Sequence, residues 1–154
     1  MKISMMKTRD VLTPEIRAKI AKAKAPKAAL EAMGLAVVSM AQRAFTQPGL
    51  RISAWAPLKP ATLKAKARAG FGSKTLISSG ALSHSARISS LTARSVTVGS
   101  DRKAGQYSLA GIHQLGTKKI PARPFFPFDD RGRPSGRASR NIQAAAKAAL
   151  DLER

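Results

Sequence analysis

The sequence predicts an α+β fold: a small antiparallel sheet packed by a long N-terminal helix and shorter helices, with basic arms at both ends. Large apolar residues recur at three-and-four spacing through Leu30, Met33, Val37 and Met40, which is the period of a helix face. Two period-two runs follow: Leu82, His84, Ala86 and Ile88, then Val96 and Val98. They read as the strands of a hairpin turning at residues 91–94. The 154 residues suit one compact domain. Composition divides it into a basic N-terminal arm or helix (1–26), an α+β core (27–128), and an Arg-rich linker with a C-terminal helix (129–154).

Thr13-Pro14-Glu15 is a helix start: Thr caps, Pro tolerates the first position, and Glu faces the positive helix end. Only Ile16 and Ile20 give this segment a stripe, so it has little to bury. The long helix, over residues 27–45, carries a second stripe of Leu35, Val38 and Phe45. A helix apolar on two faces wants two covers, the second being either the rest of the core or another copy. Gln47-Pro48-Gly49 ends it. Pro57 and Pro60 hold residues 55–59 extended, a short basic helix spans 60–69, and residues 68–74 read as a mobile loop. After the hairpin, residues 101–105 form a turn, and 107–115 fit a short helix ended by Gly116. Residues 120–128 form a proline-locked strip holding three of the five Phe residues. Burying each Phe is worth about 1.5–3 kcal/mol, so the strip docks. A last helix, capped by Ser139 or Asn141, sets Ile142, Ala146, Ala149 and Leu150 on one face.

Charge is the strongest compositional signal. Lys and Arg number 28 against 8 Asp and Glu, for a net charge of +20, and no carboxylate occurs between Glu31 and Asp101. Such a chain attracts polyanions. The shortage of acids argues against two-metal enzymes and glycosidases. With no cysteine, disulfides and thiolate chemistry are excluded. No apolar run approaches the roughly 20 residues of a membrane span, and residues 1–6 are too short and polar for a secretory signal, which predicts a cytoplasmic product. His84 and His113 have no acid nearby in sequence, so structural hydrogen bonding is the better reading for both. Asp129-Asp130, before Arg131, reads as an ion-paired loop or a helix start. The segment Gly70-Phe71-Gly72-Ser73-Lys74 lacks the spacing of a phosphate-binding loop. Neither catalysis nor a cofactor is predicted. Trp55 and Tyr107 are too isolated to stack bases, so any DNA contact is to backbone phosphates.

An ordered set of short pieces then carries a resemblance. They are Trp55-Ala56-Pro57-Leu58 followed by Thr62; Leu76-Ile77-Ser78-Ser79-Gly80-Ala81-Leu82; Val96-Thr97-Val98-Gly99-Ser100; Tyr107 with Ile112-His113-Gln114-Leu115-Gly116; and Ile120-Pro121-Ala122-Arg123-Pro124-Phe125. In this order, after a long helix ending at Phe45, the stretch 55–126 resembles the virion morphogenesis or tail completion proteins of tailed phages, of the kind found in Mu-like phages. Residues 1–25 and those after Phe128 lie outside the resemblance. Ser108 stands where the family pattern suggests Ala.

The resemblance implies a non-enzymatic neck component of the virion, assembled in the bacterial host cytoplasm. It implies a ring of copies, a hexamer, that completes the tail end and joins tail tube to head-side connector, with DNA passing through. It implies structural or interface roles for Trp55, Leu58, Thr62, Gly80, Leu82, Tyr107, His113, Gly116, Pro121, Arg123, Pro124 and Phe125. Lys64, Lys66, Arg68, Lys74, Lys118 and Lys119 are candidates to meet DNA or an acidic protein partner. A free, sequence-independent DNA-binding protein, such as a nucleoid or packaging factor, is the alternative, and a lytic hydrolase of the particle a third reading.

Overall fold

A computed structural model describes residues 12–23 and 26–151. Residues 1–11 of the predicted N-terminal arm, with Lys24 and Ala25, lie outside the described residues, as do 152–154. The fold is α+β. Its helices are α1 (Pro14–Lys22), α2 (Pro26–Arg43), α3 (Pro60–Arg68), α4 (Leu109–Leu115) and α5 (Gly136–Asp151). Two small antiparallel sheets join them: β1 (Ala86–Leu91) with β2 (Val96–Ser100), and β3 (Lys103–Ala104) with β4 (Tyr107–Ser108).

α2 is the spine. It packs against α5 on one side and the β1–β2 hairpin on another, while α1 lies against both long helices. Thr13 caps α1 as predicted, accepting from Ile16 N. Ile16 and Ile20 join Leu30, Met33, Val37 and Met40 of α2 and Ala138, Ile142 and Ala146 of α5 in one core. The described parts of both terminal segments therefore belong to the core. A second core gathers Ala41, Ala44 and Phe45 at the end of α2 with Ala86, Ala110 and Phe125. Phe45 and Val38 of the second α2 stripe thus turn inward, whereas Leu35 stays 55% exposed.

The hairpin sits close on α2 because of Gly34. A Cβ there would come within 2.6 Å of Val96 Cγ2 and 2.9 Å of Ile88 Cδ1. The helix spends a glycine, unfavourable by about 1 kcal/mol against alanine, to let the sheet approach.

Several boundaries differ from the sequence reading. The first strand begins at Ala86 rather than Leu82. Residues 80–85 form a turn in which the Ser83 hydroxyl and His84 N both donate to Gly80 O, local bonding with which short polar side chains compete against strands. β1 also carries a bulge between Ile88 and Ser90. Tyr107 lies in β4 rather than in a helix, and Ser108 caps α4 by accepting from Gly111 N. α5 starts earlier than predicted: Ser135, not Ser139 or Asn141, caps it, accepting from Ala138 N at 3.1 Å. The supposed linker is a tight loop. Asp129 Oδ1 accepts from Arg131 N and Arg133 N, and Arg133 Nε donates to Asp129 Oδ2 at 2.6 Å. These bonds hold the Asp129 carboxyl below the usual carboxylate range.

Candidate functional site

The two proline strips meet. Pro57 and Pro60 keep the first strip out of any sheet, which leaves its carbonyls in need of donors. Arg123 supplies them: its Nε donates to Ala56 O at 2.9 Å and its Nη2 to Pro57 O at 3.1 Å. In return Trp55 Nε1 donates to Pro124 O at 2.8 Å. Arg123 is buried although charged, and backbone carbonyls take the place of a carboxylate. Arg51 completes the junction from the other side. Its guanidinium lies 3.8 Å from the Trp55 ring centre, and its Nε donates to Ala44 O at 2.7 Å at the end of α2.

An aromatic chain runs beneath. Phe45 contacts Trp55 edge-on at 5.6 Å and Phe125 at 5.1 Å, and Phe125 contacts Phe126 at 4.7 Å. Phe125 is 1% exposed, so the strip is docked as its composition predicted. α4 holds the strip's backbone. Gln114 is buried and uses its whole amide on it: Oε1 accepts from Phe125 N and Phe126 N, and Nε2 donates to Phe126 O and Phe128 O.

His113 and Gly116 shape the turn between α4 and the strip. Arg123 N donates to His113 O at 2.6 Å. Gly116 has φ +74° and ψ 179°, a region open essentially to glycine alone. A Cβ there would lie 2.7 Å from Ala122 N. His113 Nδ1 is buried without a hydrogen-bond partner. Burial, and then the Arg123 charge, push the His113 pKa below its ordinary value.

The junction thus unites Trp55, His113, Gly116, Arg123, Pro124 and Phe125. Leu58 is half-buried beside it in sequence, and Leu82 packs on the second core. Gly80 turns the chain ahead of β1; Thr62, Tyr107 and Pro121 are exposed. Two basic segments leave the junction. Lys118 and Lys119 sit in an exposed turn closed by Thr117, whose hydroxyl accepts from Lys119 N and Ile120 N. Lys64, Arg68 and Lys74 are exposed on and after α3. Lys66 is tied down, its ammonium donating to Lys74 O at 2.8 Å and to Ile77 O. The residues 68–74, read as a loop, are therefore fastened to α3.

Sequence reasoning gave no role to Gln114, although it stands in one of the pieces that carry the resemblance, and missed Arg51. An amide side chain near the C-terminal end of the short, mostly apolar helix Leu109–Leu115 was the available signal for the first; nothing in the pattern marks the second. Among the described residues no group of three His, Asp or Glu could hold a metal ion, and no helix is long and apolar enough to cross a membrane. What the arrangement does is mechanical: it fixes two strips and projects two cationic segments.

No curated protein matches the chain, and no solved structure does. The family model of the phage virion morphogenesis family matches residues 7–149, taking in α1 and most of α5 as well as the stretch that carried the resemblance. With the match running through both cores and the clamped junction, the chain belongs to the phage virion morphogenesis family.

Proposed function

We propose that this virion morphogenesis protein is a structural, non-enzymatic neck component that completes the tail end and joins it to the DNA-filled head as a ring around the DNA channel. The observation that carries this reading is the junction itself. It braces two cationic segments outward from a small core, and the first of them, Lys64 to Lys74, lies in the stretch between Glu31 and Asp101 that holds no carboxylate. A passage for DNA favours such a wall. Ring formation is supported by exposed large apolar side chains on separate elements, Leu35 on α2, Tyr107 on β4 and Leu115 on α4, which subunit contacts would cover. The partners on this reading are further copies, a hexamer, with the tail tube and the head-side connector. Electron microscopy of particles from a phage lacking the gene tests it. Separate full heads and finished tails support the neck role. Intact joined particles overturn it and favour a free, sequence-independent DNA-binding protein.

A further inference from the structure

α3 is nine residues long and none of them is buried. Helices this short are marginal in water without tertiary packing, so something else must hold this one. Pro60 starts it, and Phe71 N donates back to Lys66 O at 2.8 Å to close it. The Lys66 latch onto Lys74 O and Ile77 O then ties the helix to the chain that follows. With 3.6 residues per turn, Lys64 and Arg68 share one face with Ala61 and Ala65, and Lys66 lies on the opposite side with Leu63. The latch therefore uses one cation internally and leaves two aligned outward. It also fixes the backbone of Lys74, whose own side chain is exposed, at the base of the same arm.

The outward face has a composition that selects its partner. Between its cations stand only alanines, which let a charged backbone come close but offer no large anchor of the kind protein interfaces rely on. The bulky side chains of the arm, Leu63 and Phe71, are also exposed, but they fall on the Lys66 side and in the closing turn, off the face that carries Lys64 and Arg68. A second copy meeting this same face would set Lys64 and Arg68 against their own counterparts, so contacts between copies belong to the apolar patches elsewhere. We infer that α3 with Lys74 is a docking arm for the sugar–phosphate backbone of duplex DNA, in which Lys64, Arg68 and Lys74 each meet phosphate and no base is read. This deepens the neck reading by naming the element that faces the DNA, and rests on that reading for its place in the particle.

The test uses the purified full chain and a short duplex of arbitrary sequence, with binding followed by fluorescence anisotropy across a salt series. The variant Lys64→Ala/Arg68→Ala/Lys74→Ala keeps the Lys66 latch, which uses only the backbone carbonyls of Lys74 and Ile77. A control, Lys103→Ala/Arg140→Ala/Lys147→Ala, removes the same charge from exposed positions elsewhere. Circular dichroism melts of both verify folding. The arm variant is expected to lower the slope of log affinity against log salt by about 2.7, the value for three lost phosphate contacts, and the control by far less. Equal changes in both variants overturn the proposal, as does a wild-type chain that ignores DNA. Loss of binding to polyglutamate with DNA binding intact overturns it too, in favour of an acidic protein partner. Particle morphology without the gene judges the neck reading separately.

Discussion

Gln114 and Phe126 exchange a pair of hydrogen bonds: Phe126 N donates to Gln114 Oε1 at 3.0 Å, and Gln114 Nε2 donates to Phe126 O at 3.3 Å. A side-chain amide thereby does for the proline strip what a neighbouring strand would do in a sheet. Its further bonds to Phe125 N and Phe128 O extend the pairing along the strip. Prolines at 121, 124 and 127 forbid a regular ladder there, so one short helix supplies the partner instead.

Gln114→Ala should therefore be among the most damaging polar substitutions. It strands buried backbone groups, each costing about 1–3 kcal/mol. A total loss of about 3 kcal/mol or more is expected in urea unfolding. Gln114→Glu keeps the acceptor but sets a carboxylate against two carbonyls, and should be no better tolerated.

Gly116→Ala tests the turn. The substitution forces a side chain into a glycine-only region, at about 1–3 kcal/mol, and drives its Cβ toward Ala122 N. The expected result is a lowered urea midpoint with an unchanged slope. A midpoint matching wild type would show that the turn relaxes freely.

Phe125→Ala should cost about 3–5 kcal/mol, the range for emptying a buried aromatic site. Lys118→Ala, on the exposed turn, should change stability by no more than about 0.5 kcal/mol. A fully stable Phe125→Ala chain that no longer assembles would instead place that ring at a subunit contact.

His113 gives a pH dependence of definite sign. Its pKa in the fold lies below the ordinary 6.5. Between those two values the unfolded chain binds more protons, so stability is complete above 6.5 and falls as the pH drops through that window. His113→Gln should flatten this slope. Urea unfolding near neutral pH and at about pH 5, with both chains, checks it.

Much of this architecture is legible in the residues. Thr13-Pro14-Glu15 marked the start of α1, the spacing of Leu30 to Met40 marked α2, and the short basic run over 60–69 marked α3, because caps, period and breakers act locally. The packing of Phe125 followed from three Phe residues in a strip that could not otherwise stay dry. The junction was less legible. Arg123 counts as one more cation until the unpaired carbonyls of Ala56 and Pro57, more than sixty residues away, are brought to it. The alternation from Leu82 to Ile88 overstated the first strand, since serine hydroxyls bonded to Gly80 and Leu82 carbonyls won over pairing. The start of α5 was obscured by arginines and a proline, though Ser135 offered a cap in the right place.

The pairing of α2 with α5 has a consequence for how the molecule is made. Asn141 touches Met40 across 101 positions of chain, so the broadest apolar side of α2 waits on the ribosome until α5 has been translated. Contacts so distant in sequence slow folding, and until they form the apolar side of α2 lacks the cover that α5 gives it. A shortened translation product ending before Gly136 would keep that surface open permanently and should precipitate or be degraded rather than enter particles.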